Sequence, residues 1–360
     1  MTSILGVPMK IHAIHTYEAG PLGSQVFDFR DKWSGEIASN ILFSGPNGCG
    51  KSSVLRVVAM LWIAFGHWLH SRQILPRVNT EREWLQHRGG VALLLDELPF
   101  DGPSLVLVFG DKAFVDQLQQ DFPDSYFVGE TVARRGKRGA PARKFLWPGD
   151  YDWLDKWTAA LHKMQVSPDR SESPNVIFLD AEERRWVRPR RDLGEMRPED
   201  LHQRWLTSYR VSEQWDGQLE ASLLAMKSAA LHRFHDLIRD MNAFLRGKEI
   251  LTDVKLGENR LRVKLEDRTG TIHSVDKLSA GEHQVLILLY LINRWLEKGG
   301  IVLIDEPDLY LHPSLISGFL SALEKMVADR QGQLIITSHV PDVWSRYEAL
   351  GQRILLGAGQ

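Results

Sequence analysis

A glycine-rich octapeptide, GPNGCGKS at residues 45–52, has the residue types and spacing of a phosphate-binding loop. It matches the pattern G-x-x-x-x-G-K-[ST] and lies between an apolar stretch, residues 37–43, and an apolar run from Ser53 to about His70. Glycines allow successive backbone N–H groups to turn toward an anion, and a helix that begins there adds the positive end of its dipole. The pattern predicts a strand, a phosphate-binding loop and a helix, in that order.

The side chains of this loop have distinct expected roles. Lys51 is placed to reach the β- and γ-phosphates of a nucleotide, and the Ser52 hydroxyl is placed to hold Mg²⁺. ATP and Mg²⁺ are therefore the expected ligands. Further contacts to the nucleotide are expected from Asn47, Gly48, Cys49, Gly50 and Ser53.

Two adjacent carboxylates follow a second apolar strand, residues 301–304. Asp305 is expected to hold Mg²⁺ through water, and Glu306 is expected to orient and deprotonate an attacking water. A buried strand that simply ends in solvated acids would give the same pair of residues. The phosphate-binding loop elsewhere in the chain favours the catalytic interpretation.

Residues 278–284, LSAGEHQ, precede an apolar helix that is predicted to run to Trp295. Ser279 and Glu282 have the spacing of a capping box, which by itself explains that pair. Gly281 leaves the backbone open to close approach at a helix N-terminus, where anions bind. The stretch is therefore either a helix cap or part of the phosphate site.

His339 follows a short apolar strand, residues 334–337, and comes after a predicted helix, residues 315–328. Histidine can hydrogen-bond a transferring phosphate or a water molecule near neutral pH. Its position after the strand that carries Asp305 and Glu306 favours a catalytic role.

Composition limits the class of protein. The 360 residues carry a net charge of -2, with 43% hydrophobic and 25% charged residues, as in ordinary globular proteins. Cys49 is the single cysteine, which excludes an intrachain disulfide and a cysteine-based zinc site. No secretory leader and no stretch of roughly 18 uncharged apolar residues is visible. We therefore expect a cytoplasmic protein without a membrane span.

The patterning predicts three parts. Strand-like runs separated by Gly, Pro and Asp between residues 90 and 147 favour an antiparallel β lobe rather than βαβ units. Within residues 199–245 apolar positions follow helical spacing, which predicts one arm or lid helix of about 33 residues, about 50 Å long. The expected domains are an N-terminal lobe, 1–194, a helical arm, 195–248, and a C-terminal lobe, 249–360.

Two basic clusters could contact the phosphates of DNA or RNA, although solvated loops or ion pairs are the favoured explanation of each. They span Arg134–Lys144 and Arg184–Arg191. Their members are Arg134, Arg135, Lys137, Arg138, Arg143 and Lys144, and then Arg184, Arg185, Arg188, Arg190 and Arg191.

The four stretches GPNGCGKS, LSAGEHQ, VLIDEPD and TSH, in that order, resemble the ABC-type ATPases, and DEPDLYLHP (305–313) is similar to the RecF, SMC and OLD branch. The resemblance covers nearly the whole chain. It implies an α/β fold: an ATPase head with a mixed β-sheet core, an antiparallel β lobe and an inserted helical arm or lid. It also implies a homodimer, possibly within a higher oligomer, that encloses two ATP molecules between its heads.

In such a dimer each nucleotide would lie between the phosphate-binding loop of one subunit and LSAGEHQ of the other. Ser279, Gly281 and Glu282 would then contribute to the site that contains the Lys51 of the other subunit. His339 would be the switch histidine, and Asp308 and His312 would lie near the dimer interface.

One position departs from the family pattern. A glutamine is expected where the strand that begins at Asn175 ends, but the chain has Asp180, Ala181 and Glu182 there. The residue that couples the arm to the Mg²⁺ site is therefore unassigned.

These features predict an ATPase that converts ATP and water to ADP and phosphate and regulates an associated effector, in anti-phage defence. OLD nucleases carry a Toprim nuclease domain, for which the sequence leaves no room after His339, so a nuclease or toxin is expected as a separate protein. The alternatives are a RecF-like DNA-binding repair ATPase and, less favoured, the nucleotide-binding subunit of a transporter.

Overall fold

The computed structural model describes residues 8–31, 34–132, 143–171, 173–187, 201–210, 218–253, 260–266 and 270–357. The strands are β1 Lys10–Tyr17, β2 Gln25–Asp28, β3 Asn40–Ser44, β4 Gly90–Asp96, β5 Leu105–Asp111, β6 Tyr126–Val132, β7 Lys144–Leu146, β8 Val176–Leu179, β9 Leu206–Ser208, β10 Lys248–Ile250, β11 Arg262–Leu265, β12 Ile272–Ser274, β13 Ile301–Ile304, β14 Gln333–Thr337 and β15 Gln352–Leu355. The helices are α1 Lys51–Ser71, α2 Thr80–Leu85, α3 Lys112–Asp121, α4 Asp152–Val166, α5 Gln218–Ala229, α6 Leu231–Asn242, α7 Ala280–Trp295, α8 Pro313–Ala328 and α9 Pro341–Leu350.

The core sheet has the strand order β15-β3-β14-β13-β8-β9 among the described residues, and all of its pairings are parallel. Strands β8 and β13 are apolar at every position because both faces of the sheet are covered. One face packs against α1 and the other against α6, α7 and α8. This sheet confirms the predicted α/β class, with a parallel core in place of a mixed one.

A second sheet, the lobe, has the order β2-β1-β4-β5-β6-β7. Its pairings are antiparallel except that β5 and β6 are parallel, joined through α3. The expectation that βαβ units are absent here was therefore wrong. The sequence between β5 and β6 does form a helix, because Asp111 caps its first turn and Val115 and Leu118 pack on the sheet.

Helix α1 is the wall shared by the two sheets. Its apolar side chains pack against β13 and β14 on one side and against β4, β5 and β6 on the other. Among the described residues it is the one helix whose length and hydropathy also suit a membrane span. It begins at the buried Lys51 and most of it is enclosed between the sheets, so it is a core helix.

A buried glutamine joins the two sheets at the start of β14. The Gln333 amide accepts a hydrogen bond from Ile11 N–H (2.9 Å) and donates to the carbonyls of Ile11 (3.0 Å) and Ala38 (2.9 Å). The register between β1 and β4 shifts between Ile11 and Ala13, beside this contact. Gln333 satisfies backbone groups that the irregular register leaves without ladder partners.

The predicted arm is helical but is not one long helix. The chain forms α5 and α6, which meet at Ala230, a residue outside helical geometry (φ -153°, ψ 69°). Apolar residues of α6, including Phe234 and Met241, are buried in the same cluster as α7. Residues 206–208, also assigned to the arm, form the edge strand β9 of the core sheet.

Gly129 in β6 lies where the lobe has its one described parallel pairing. Its φ is +153°, and a Cβ atom there would overlap the Val108 carbonyl of β5. We expect Gly129→Ala to lower the free energy of unfolding by about 3 kcal/mol, since both backbone strain and overpacking would result. Urea denaturation measures this change.

Gly20→Ala is the matched control, because Gly20 also has a left-handed φ (+64°) but its Cβ would meet no atom within 4 Å. It should cost about 1 kcal/mol from backbone strain alone. Equal losses for the two variants would contradict the role assigned to the β5–β6 contact.

Candidate functional site

Four strands of the core sheet deliver the candidate residues to one edge. Because β3, β8, β13 and β14 are parallel, their carboxyl ends lie side by side. They lead into Gly45, Asp180, Asp305 and Ser338 respectively. The phosphate-binding loop, the paired acids and His339 therefore share this edge, as the order of motifs predicts.

The loop of residues 45–50 has the backbone expected of a phosphate cradle. Gly45, Gly48 and Gly50 have φ values of 147°, 80° and 102°, which only glycine adopts without strain. Gly48 borders open space, with no atom within 4 Å of a built Cβ. Asn47 and Gly48 are exposed and Cys49 is half-buried, so the concave side of the loop is open to a ligand.

Lys51 begins helix α1 and lies in the floor of the loop. Its side chain is 6% exposed, and its ammonium donates to the carbonyls of Gly45 and Pro46, both at 2.9 Å. The following Ser52 is exposed and Ser53 is half-buried. A positive charge, free helical N–H groups and an exposed hydroxyl are thus gathered at the start of one helix.

The paired acids are held by the neighbouring strand β14. The Thr337 hydroxyl donates to Asp305 Oδ1 (2.5 Å) and accepts from the Glu306 N–H (2.9 Å). Glu306 has a left-handed backbone, φ +48°, which is strained for a residue with a side chain. Asp305 is thus held by Thr337, while Glu306 sits in a strained turn directly after it.

His339 contacts the second acid directly. Its Nε2 lies 3.0 Å from Glu306 Oε1, and both side chains are partly open to solvent, at 37% and 27%. The structure thus brings together two residues that the sequence separates by a helix and a strand. A carboxylate paired with an imidazole can hold and accept a proton at this position.

The residues of LSAGEHQ lie at the start of α7. Ser279 Oγ accepts the Glu282 N–H (3.4 Å), and the Glu282 carboxylate accepts the Ser279 N–H (2.7 Å), which confirms the capping box. Glu282 also pairs with Lys248 at 2.8 Å, and these bonds lower the pKa of Glu282 against the opposing effect of burial. The contacts found for Glu282 are internal, while Ser279 is exposed at the helix N-terminus.

Gly281 is required by packing within its own chain. A Cβ at this position would overlap the carbonyl of Tyr310, in the loop that follows the paired acids. Tyr310 has a left-handed φ of 65° and a side chain that is 64% exposed. The close approach predicted for Gly281 therefore exists within the subunit and joins the start of α7 to residues 308–312.

The two residues expected near a dimer interface differ in exposure. His312 is exposed and caps α8, where its ring accepts the Ser314 N–H at 3.3 Å. Asp308 is half-buried; burial raises the pKa of Asp308, and a hydrogen bond with Ser338 opposes that rise.

The basic clusters are only partly available to a polyanion. Arg143 pairs with the fully buried Glu130, and Arg184 is fully buried against the turn that carries Glu306. For Arg143 the ion-pair explanation is therefore confirmed, and Arg184 is used internally by the turn, so neither guanidinium is open to a polyanion. Lys144 is exposed in β7. Arg134, Arg135, Lys137, Arg138, Arg188, Arg190 and Arg191 lie outside the described residues.

Two contributors to the site were missed at the sequence level. Thr337 was counted only as the end of a strand, and a threonine in an apolar β run carries no signal of a polar role. Arg184 was counted as part of a basic cluster, since an arginine doublet in a loop normally indicates solvent exposure.

No group of three or more His, Cys, Asp or Glu side chains is arranged as a metal site within the described ranges. Mg²⁺ binds few protein oxygens and keeps water or phosphate as its other ligands. Asp305 and the exposed Ser52 hydroxyl supply oxygen atoms of the right chemistry.

Thr337→Val tests how the acidic pair is held. We expect the free energy of unfolding to fall by about 1–3 kcal/mol, since the buried Asp305 loses a donor and the Glu306 N–H loses its acceptor. Chemical denaturation measures the change. Thr207→Val, at a buried threonine whose hydroxyl donates to the Gln203 carbonyl (3.1 Å), should cost less. A smaller loss for Thr337→Val than for Thr207→Val would contradict this arrangement.

Known proteins are similar to this chain in sequence. Residues 42–343 match the family described as "AAA domain, putative AbiEii toxin, Type IV TA system". A 133-residue stretch is 35% identical to the retron Ec83 probable ATPase of Escherichia coli, covering 34% of this chain and 23% of that protein. A 120-residue stretch is 29% identical to the ATP-binding cassette sub-family D member 3 of Rattus norvegicus. It covers 32% of this chain and 16% of that protein. The chain spans less than a quarter of either relative.

Among solved structures, the SmcHead bound to the C-winged helix domain of ScpA aligns over 92% of this chain and 90% of its own, with 12% identity and a TM-score of 0.46. The family match is the broader finding, because it extends from β3 to α9 and includes the loop, the paired acids and His339. The chain therefore belongs to the family described as "AAA domain, putative AbiEii toxin, Type IV TA system", as a P-loop ATPase of the ABC-like kind.

Proposed function

We propose that this protein hydrolyses ATP at the edge of the core sheet and uses the reaction to regulate a separate effector protein. The observation that carries the proposal is the contact between Glu306 and His339 beside a phosphate-binding loop with a buried lysine. A loop that only bound phosphate would need neither Glu306 nor His339.

The residues of the loop fit a nucleoside triphosphate. Lys51 would exchange its two carbonyl contacts for phosphate oxygens, and the backbone N–H groups of residues 47–53 would surround the remaining charge. Ser52 and Asp305 would hold Mg²⁺, which when bound neutralises charge on the phosphates. The Thr337 hydroxyl keeps Asp305 in place for that role.

Glu306 and His339 supply the proton chemistry. In the proposed reaction the Glu306 carboxylate accepts a proton from the attacking water, and the His339 ring orients that carboxylate from 3.0 Å away. Asp305 is bonded to Thr337 and Glu306 to His339, so that in the proposed site one acid serves the metal and the other serves the water.

The proposed dimer follows from the exposed start of α7. Ser279 and Ala280 are exposed, while Glu282 behind them is fixed by the cap and Lys248. An exposed helix N-terminus is suited to bind the phosphate held by a second subunit. Two such heads related by a twofold axis would enclose two nucleotides.

The proposed setting is anti-phage defence in the cytoplasm. The support is the family description, which names a putative AbiEii toxin, and the relative named as a probable ATPase of a retron. The effector would be a nuclease or toxin, regulated by the opening and closing of the ATPase dimer.

Glu306→Gln and Lys51→Ala test the chemistry. We expect Glu306→Gln to lower turnover about 100-fold or more because the general base is lost, with ATP binding retained. Lys51→Ala should lose both turnover and ATP binding. Phosphate release and nucleotide binding by fluorescence measure these effects, and the Glu306→Gln protein should double its mass in solution with Mg-ATP. Wild-type turnover in Glu306→Gln would contradict the assigned base.

A mixing experiment tests whether the sites are shared between subunits. Lys51→Ala and Ser279→Arg should each be inactive, since one lacks the phosphate-binding lysine and the other blocks the start of α7. After mixing, half of the dimers pair the two variants and contain one intact site, so about a quarter of wild-type turnover should return. A mixture that stays inactive, together with a normal fold for both variants, would show that the sites are not shared.

A further inference from the structure

The segment after β8, residues 180–187, lies across the edge of the core sheet and touches several parts of the site. We call it the strap. At its start Asp180 accepts a hydrogen bond from Arg56 Nη2 of helix α1 at 2.7 Å. The strap is thereby attached to the helix that follows the phosphate-binding loop.

Arg184 inserts its side chain beneath the turn that carries the paired acids. The residue is fully buried, and its Nη2 donates to the carbonyls of Asp305 (2.7 Å) and Glu306 (2.9 Å). These carbonyls flank the strained φ of Glu306, +48°. A non-glycine residue keeps such a backbone only where its surroundings hold it, and this guanidinium holds the turn from below.

The charge of Arg184 also suits the position. Asp180, Asp305, Glu306 and Asp308 all act on it electrostatically, and burial lowers the pKa of Arg184 to about 10. The guanidinium is still protonated at neutral pH. It therefore offsets the mutual repulsion of carboxylates that the site must keep close together.

The strap is tied to the start of helix α7 as well. Gln284 donates its side-chain amide to the Arg184 carbonyl, and the Trp186 ring stacks on His283 with centroids 4.5 Å apart and planes 8° apart. The Arg185 carbonyl accepts the Tyr209 hydroxyl at 2.8 Å. Arg184 and Trp186 are therefore both attached to α7.

Packing alone does not account for an arginine here. Its Nε and Nη1 atoms are buried and find no acceptor among the described residues, which costs free energy that an apolar side chain of similar size would avoid. A buried cation kept at that cost indicates a role that needs the charge and the paired donors.

We propose that Arg184 is a positioning residue, which fixes the Asp305–Glu306 turn for catalysis and connects it to helix α7. This inference rests on the proposed ATP hydrolysis by Glu306. Docking of the exposed start of α7 on a second subunit would then be transmitted through Gln284 and Arg184 to Glu306 of the same chain. The strap thus takes the place of the missing glutamine after β8.

Arg184→Met and Arg184→Lys test the proposal against Arg204→Met. Arg204 is a matched control, because it is 3% exposed and bonds to the carbonyls of Met164 (3.2 Å) and Asp169 (2.7 Å), away from the site. We expect Arg184→Met to lower kcat about 10- to 100-fold, with the Kd for ATP nearly unchanged, since misplaced catalytic groups cost rates of this size. Arg184→Lys should recover part of kcat, and Arg204→Met should change stability but not kcat.

Hydrogen exchange provides a readout that does not require turnover. The amides of Leu309 and Leu311 donate within the turn to Glu306 (3.1 Å) and Asp308 (3.0 Å). They should exchange faster in Arg184→Met and in Arg184→Lys, and as in wild type in Arg204→Met. If Arg184→Met fails to fold, kcat and hydrogen exchange of the turn in Arg184→Lys test the proposal instead.

Different results would overturn the chemistry proposed for Glu306 and the positioning role proposed for Arg184. Wild-type turnover in Glu306→Gln overturns the proposed chemistry, whatever Arg184 does. Turnover that requires Glu306, with kcat and exchange of the turn unchanged in the Arg184 variants, overturns the positioning role alone. A kcat loss that Arg204→Met reproduces would assign Arg184 to stability and would also overturn it.

Discussion

The parallel pairing of β13 with both of its neighbours is the constraint on which the site depends. Ile304, the last residue of β13, is level with Leu179 of β8 and Ile336 of β14. Parallel strands that end at the same level place the residues that follow them within reach of one another. Backbone hydrogen bonds between apolar strands thus bring an arginine, two acids and a histidine together before any of these side chains interact.

Burial of α1 on two sides gives this edge its rigidity. A helix that packs against two sheets cannot shift without disturbing both, and protein interiors tolerate such shifts poorly. Lys51 is the first residue of that helix, so its ammonium has a fixed origin. Mobility in the site is therefore expected in the loops that follow β13 and β14, not in the lysine.

The sequence predicted those parts of the site whose chemistry is local. The glycine loop, the acids after β13 and His339 are each encoded within a few residues, and the structure places them at one edge. The break at Ala230 could not be predicted, because the alanines around it favour helix, and α6 packs on α7 through residues far from it in sequence. Arg184 could not be predicted either, since its carbonyl partners lie more than a hundred positions away along the chain.

The contact between Gly281 and the Tyr310 carbonyl bears on how such motifs evolve. A glycine at this position is usually explained by a ligand or a second subunit, yet here the fold of the single chain already excludes every larger residue. A descendant that had lost nucleotide binding or dimer formation would still be under selection to keep this glycine. Its retention in a lineage therefore reports that the fold has been kept, and says nothing about whether the activity has survived.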